Sequence, residues 1–99
     1  IEWLQQAFKT DRNNGIIAAE LADLAESMQN WDVAVNALRN IPLIKGDCPI
    51  SKTEAYLRQG KISLKLGDIQ RAVFWAKKAV KEDPDSLEAA AFLKELGEA

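Results

Sequence analysis

The sequence predicts an all-α fold, an array of antiparallel helix pairs, on three observations. The first is internal repetition. Trp3-Leu4-Gln5-Gln6-Ala7-Phe8-Lys9-Thr10-Asp11 returns 72 residues on as Trp75-Ala76-Lys77-Lys78-Ala79-Val80-Lys81-Glu82-Asp83. Ala34-Val35-Asn36-Ala37-Leu38-Arg39-Asn40-Ile41 aligns with Ala72 to Ala79 at an offset of 38 and with the first copy at 34, placing Leu4 on Leu38 and Ala7 on Ile41. A helical unit recurring at about 34 residues is the mark of an α-α solenoid. The second is apolar spacing at the helical period, while β-branched residues nowhere alternate with polar ones over a useful length. The third is a series of helix start and stop signals that divides the chain into six helices.

The elements follow in order. Residues 1 to about 12 carry Trp3, Leu4, Ala7 and Phe8 on one helical face. Asn13-Asn14-Gly15 breaks that helix, and Asn14 is suited to cap the next by accepting a backbone N–H. The second helix runs to about Met28, with Ile17, Leu21, Leu24, Ala25 and Met28 on its apolar side. Asn30 is the expected cap of a third, from Trp31 to about Asn40, which Pro42 stops for want of an N–H. Leu43 to Ile50, with Gly46 and Pro49, is the one real loop. Ser51-Lys52-Thr53-Glu54 has the spacing of a capping box. The helix it opens ends at Leu66-Gly67, where glycine takes the left-handed turn at little cost. Asp68 caps a fifth helix ending near Glu82, and Pro84-Asp85-Ser86 leads into a sixth that ends near Gly97.

Ninety-nine residues suffice for one domain, and 47% hydrophobic with 28% charged residues is ordinary for a globular chain. A net charge of −2 argues against nucleic acid as the main partner. No apolar run approaches the ~20 residues that insert across a bilayer. The absence of histidine removes the commonest general base and metal ligand. No nucleophile–base pair is present, so the chain reads as a non-enzyme without catalytic, cofactor or metal residues. Cys48, the lone cysteine, has no histidine to activate it and fits a reducing, cytoplasmic compartment. The chain begins at Ile1 inside helical sequence and reads as a piece of a longer protein.

At Tyr56…Gly60…Gly67-Asp68-Ile69…Ala72…Ala79…Pro84 the pattern resembles a tetratricopeptide repeat. In that family small residues at the places of Gly60 and Ala72 let the two helices of a pair touch. Residues 15–48 form a second, weaker copy: Ala22 replaces Gly60, Gln29-Asn30-Trp31 replaces Gly67-Asp68-Ile69, and Ala34 replaces Ala72. It departs in having Ala18 where a bulky residue is usual, and in its early proline and longer loop. The resemblance thus implies a right-handed superhelical array. Residues 1–14 would be the second helix of a truncated repeat, 15–48 and 53–86 two repeats, and 87–98 a capping helix, because Lys94 stands in the small-residue place and no further helix follows.

The resemblance also implies a function: protein–protein interaction, a partner's peptide or helix lying in the concave groove lined by the first helix of each pair. Ile16 and Leu57 would supply apolar contacts there, flanked by Glu20 and Asp23 on one first helix and by Arg58, Lys61 and Lys65 on the next. The basic trio would either grip carboxylates or pair with Glu20 and Asp23. Ala19, Asp23, Arg58 and Ala91 do not match the lysine and asparagine set by which chaperone-binding members hold a C-terminal carboxylate. Glu20, Asp23 and Glu26 read as a solvated face rather than a metal site, which wants more oxygens from a shaped loop. Trp3, Trp31 and Trp75 read as periodic packing residues. Arg71, Lys77, Lys78 and Lys81 form an outer basic patch, read as a solvated face. The alternative function is a structural spacer, cap or self-association module, the first helix offering Trp3, Leu4, Ala7 and Phe8 to a partner.

Overall fold

The computed structural model describes residues 2–45 and 48–97, so the expected loop residues Gly46 and Asp47, and Glu98 of the expected capping helix, lie outside the described residues. The described residues form six α-helices: α1 (Glu2–Thr10), α2 (Gly15–Ser27), α3 (Trp31–Asn40), α4 (Lys52–Lys65), α5 (Ile69–Glu82) and α6 (Leu87–Glu95). A 3-10 turn, Ile41–Leu43, follows α3. No strand occurs among the described residues, and no helix is long and apolar enough to cross a membrane. Two compact units emerge, Ile1–Ser51 and Lys52–Ala99.

In the first unit α2 packs against both α1 and α3. Asn14 caps α2 as expected: its side-chain oxygen accepts from the N–H groups of Ile16 (3.1 Å) and Ile17 (3.2 Å). Leu4 and Phe8, one helical turn apart on α1, are buried. Trp3 lies about 100° round that helix and is 70% exposed, against the expectation that it packs. Along α2 the buried side is made mostly of small residues, Gly15, Ala18, Ala19, Ala22 and Ala25 with Leu21, while Leu24 and Met28, expected on it, are exposed. Alanine there lets a second backbone approach closely, which is how α3 comes to bury Ala34, Ala37 and Leu38. Pro42 ends α3 by shifting the chain into the 3-10 turn, where proline is tolerated in the first turn.

The turn between α2 and α3 corrects one expectation. Asn30 stands at the cap position of α3 but makes no side-chain capping bond. The corner is held instead by backbone: Gln29 N–H donates to Glu26 O (3.0 Å) and Asn30 N–H to Ala25 O (2.8 Å). In the second unit Gly67 N–H donates to Leu64 O (3.0 Å) and Asp68 N–H to Ser63 O (2.9 Å), the same motif 38 residues on. That motif demands a left-handed residue. Gly67 supplies it at φ 82°, whereas the first unit places Gln29 at φ 58°. A side chain in that region costs about 1–2 kcal/mol, offset in part by the ~0.5–1 kcal/mol of extra chain entropy that glycine loses. Gln29→Gly is therefore expected to stabilise the chain by about 0.5–1 kcal/mol, a rise of a few degrees in Tm. Gly67→Gln should do the reverse, since a Cβ there meets nothing within 4 Å and only the backbone is at stake. Thermal melts of both variants check the pair, and a destabilised Gln29→Gly would refute the equivalence of the two corners.

In the second unit α4, α5 and α6 pack on one another. Three residues separate α4 from α5, so the contacting helices run antiparallel. Their core joins Leu57, Ala72, Ala76, Ala79, Ala89 and Phe92, with Tyr56, Val80, Leu93 and Leu96 packed around it. Asp68 caps α5 by accepting from Arg71 N–H (3.1 Å), and Ser86 caps α6 by accepting from Ala89 N–H (3.2 Å). Trp75 stacks on Tyr56 at 5.9 Å between centroids. Burial, and then the Glu82 carboxylate, push the Tyr56 phenol above its ordinary pKa.

Candidate interaction faces

The expected groove residues fall on two helices, one in each unit. On α2, Ile16, Glu20 and Asp23 follow one another at i, i+4 and i+7 and form a single stripe. Ile16 is 62% exposed, and Glu20 and Asp23 are exposed with it. Ala19 and Ala22, beside that stripe, are buried, so the acidic residues stand at the edge of the apolar side of α2. The stripe thus runs from an exposed isoleucine at its N-terminal end to two carboxylates.

On α4 the picture differs from expectation. Leu57 is 3% exposed and belongs to the core of the second unit, so it does not offer an apolar contact. The reason is packing across the unit: α6 closes over α4 and α5, and its Phe92 joins the cluster that holds Leu57. The three cations remain on the surface or near it. Arg58 Nη2 donates to Glu54 Oε1 at 3.1 Å, an i,i+4 pair along α4. Lys61 Nζ donates to Glu88 Oε1 at 2.9 Å, a pair that ties α4 to α6. Lys65, in the last turn of α4, is exposed and also takes part in an interaction. Exposed pairs of this kind contribute about 0–1 kcal/mol. Their effect is to hold Arg58 and Lys61 in defined positions.

The Glu54–Arg58 pair was open to sequence reasoning, since its members stand four positions apart on one helix. Glu88 was not, because it lies 27 residues beyond Lys61 and reaches it only through the packing of α6. A second residue that spacing did not reveal is Gln59, which is polar yet only 1% exposed. Its Nε2 donates to Ala55 O at 3.4 Å, and among the described residues its Oε1 finds no partner. Among the described residues no group of His, Cys, Asp or Glu is arranged to hold a metal ion. Cys48 donates weakly from Sγ to Gly15 O at 3.5 Å, a contact that closes the loop onto the start of α2.

Residues 53–86, which span α4, the glycine corner and α5, match the tetratricopeptide repeat family model. No curated protein matches the chain.

Proposed function

We propose that this chain, which carries a tetratricopeptide repeat at residues 53–86, is a segment of an interaction scaffold that holds an extended or helical piece of a partner protein. Tetratricopeptide repeats generally mediate protein–protein interactions and are generally non-enzymatic. The sides of α2 and of α4 that the resemblance assigns to the concave surface would each offer contacts to partner protein, through Ile16, Glu20 and Asp23 in the first unit and through Arg58, Lys61 and Lys65 in the second. The observation that carries this reading is the positioned charge on α4, where Glu54 and Glu88 hold two cations at the surface that add little to stability.

The test is a peptide-display selection against the chain, with the selected peptides mapped by amide chemical-shift changes. Peptides should perturb α2 and α4. Arg58→Gln with Lys61→Gln should weaken them about tenfold, the equivalent of 1.4 kcal/mol, with Tm changed by no more than a few degrees. Binding should also weaken with salt, because exposed charges are screened beyond about 8–10 Å at physiological ionic strength. Undiminished binding by the double variant would move the spacer or self-association reading ahead; of the residues that reading relies on, Trp3 is exposed while Leu4 and Phe8 are buried.

A further inference from the structure

Arg71, Phe74, Lys77, Lys78 and Lys81 recur on α5 at spacings of three and four, so they share one stripe of the helix. The stripe is exposed: Phe74 is 55% accessible, and the four cations lie on the surface around it. Ala72, Ala76 and Ala79 are buried on the opposite side, so this face is directed away from the core of the second unit. Phe74, Lys77, Lys78 and Lys81 line a shallow cleft of about 290 Å³.

Lys78 is set in that cleft by aromatic rings. Its Nζ lies 5.5 Å from the centroid of Tyr56 and 5.6 Å from those of Phe74 and Trp75. Phe74 meets Trp75 edge-on at 5.0 Å, and Trp75 stacks on Tyr56, so the three rings form one cluster beneath the ammonium. Ring faces attract the cation without neutralising it. The ammonium is therefore positioned, and a carboxylate that meets it orders little further. Arg71 is held in turn by Asp68 at 3.6 Å.

We propose that this outer side of α5 is a second docking surface, taking an acidic protein segment that places carboxylates on Lys78 and Lys81 and an apolar side chain on Phe74. Charge complementarity commits the surface to an anion, and the remaining features choose among anions. A bilayer needs several apolar side chains to insert, and Phe74 is the only one on the stripe. A nucleic acid needs a continuous basic track, whereas residues 52–99 hold nine basic and eight acidic residues and Glu82 and Asp83 close the end of the stripe. One aromatic residue among a few cations matches a short peptide in which carboxylates flank an apolar residue. This surface lies on α5, apart from the α4 residues invoked above, so the two readings stand or fall separately.

The experiment is an amide chemical-shift titration of the whole chain with three probes: a short peptide of glutamates interrupted by leucine, vesicles of phosphatidylserine and phosphatidylcholine, and single-stranded oligo-thymidine. The peptide is expected to shift amides between 71 and 82. Lys78→Gln with Lys81→Gln should weaken it at least about tenfold and Phe74→Ala about threefold, effects of the size known for charged and aromatic contacts at interfaces. Lys81→Glu alone, which leaves the ring cluster intact, should weaken it severalfold and guards against a variant that fails to fold. Shifts confined to α2 or α4, binding unaffected by Phe74→Ala and Lys81→Glu, or occupation of the stripe by vesicles or oligonucleotide but not peptide would each overturn the proposal.

Discussion

Gly60→Leu is expected to destabilise the chain by about 2 kcal/mol and to lower Tm by roughly 10 °C. Gly60 sits where three helices converge. A Cβ added there would lie 2.8 Å from Phe92 Cε2 on α6, 3.3 Å from Trp75 Cβ and 3.4 Å from Ala72 O on α5. The first distance is one that real side chains do not tolerate, and the other two lie against atoms that the α5 backbone holds in place. Leucine must therefore displace α6 or part α4 from α5, and overpacking of this kind typically costs about 1–3 kcal/mol. Relief of the glycine helix penalty returns up to ~1 kcal/mol, and the steric loss remains larger. A thermal melt in which Gly60→Leu matches the parent would refute the close approach of these helices.

Phe92→Ala should cost more, about 3–5 kcal/mol. Phe92 is 5% exposed, the largest side chain that α6 contributes to the core of the second unit, and the ring that covers Gly60. Its removal leaves a cavity between α4, α5 and α6 that the alanines at 72, 76 and 79 are too small to fill. Whole domains are stable by only about 5–15 kcal/mol, so α6 is expected to fray or detach, visible as lost amide protection between 87 and 95. The two sites should also couple. In the parent, Gly60→Ala drives a methyl group into the Phe92 ring and should destabilise. In the Phe92→Ala background the nearest atom is gone, and the same change should be neutral or stabilising by up to ~1 kcal/mol, the helix propensity of alanine over glycine. A double-mutant cycle by chemical denaturation measures the change of sign. Simple additivity would mean that Gly60 is small for some reason other than Phe92.

Much of the fold was legible because helix ends are local chemistry. Asn14, Gly67 and Asp68 act within a few residues of themselves, so their spacing to an apolar run is enough to place them. The three-residue corners and the 34-to-38-residue repeat likewise need nothing beyond the chain to imply contacting helix pairs. The small residues at 60 and 72 were readable as a contact for the same reason. What was not readable was the third body at that contact, because Phe92 arrives from 32 residues away.

The candidate faces divide along the same line. That Ile16, Glu20 and Asp23 share one side of α2, and that Arg58, Lys61 and Lys65 share one side of α4, follows from helical geometry alone. So does the Glu54–Arg58 pair. Tertiary structure decided which members of those stripes stay outside. It took Leu57 into the core, gave Lys61 the Glu88 carboxylate, and left Trp3 outside while its repeat counterpart Trp75 went under a tyrosine. It also turned Gln29 into a left-handed corner residue and gathered Tyr56, Phe74 and Trp75 beneath Lys78. The sequence by itself determined periodicity and capping, which depend on neighbours along one helix. Burial and pairing depend on which other helix closes over a side chain, and that is known only once the helices are packed.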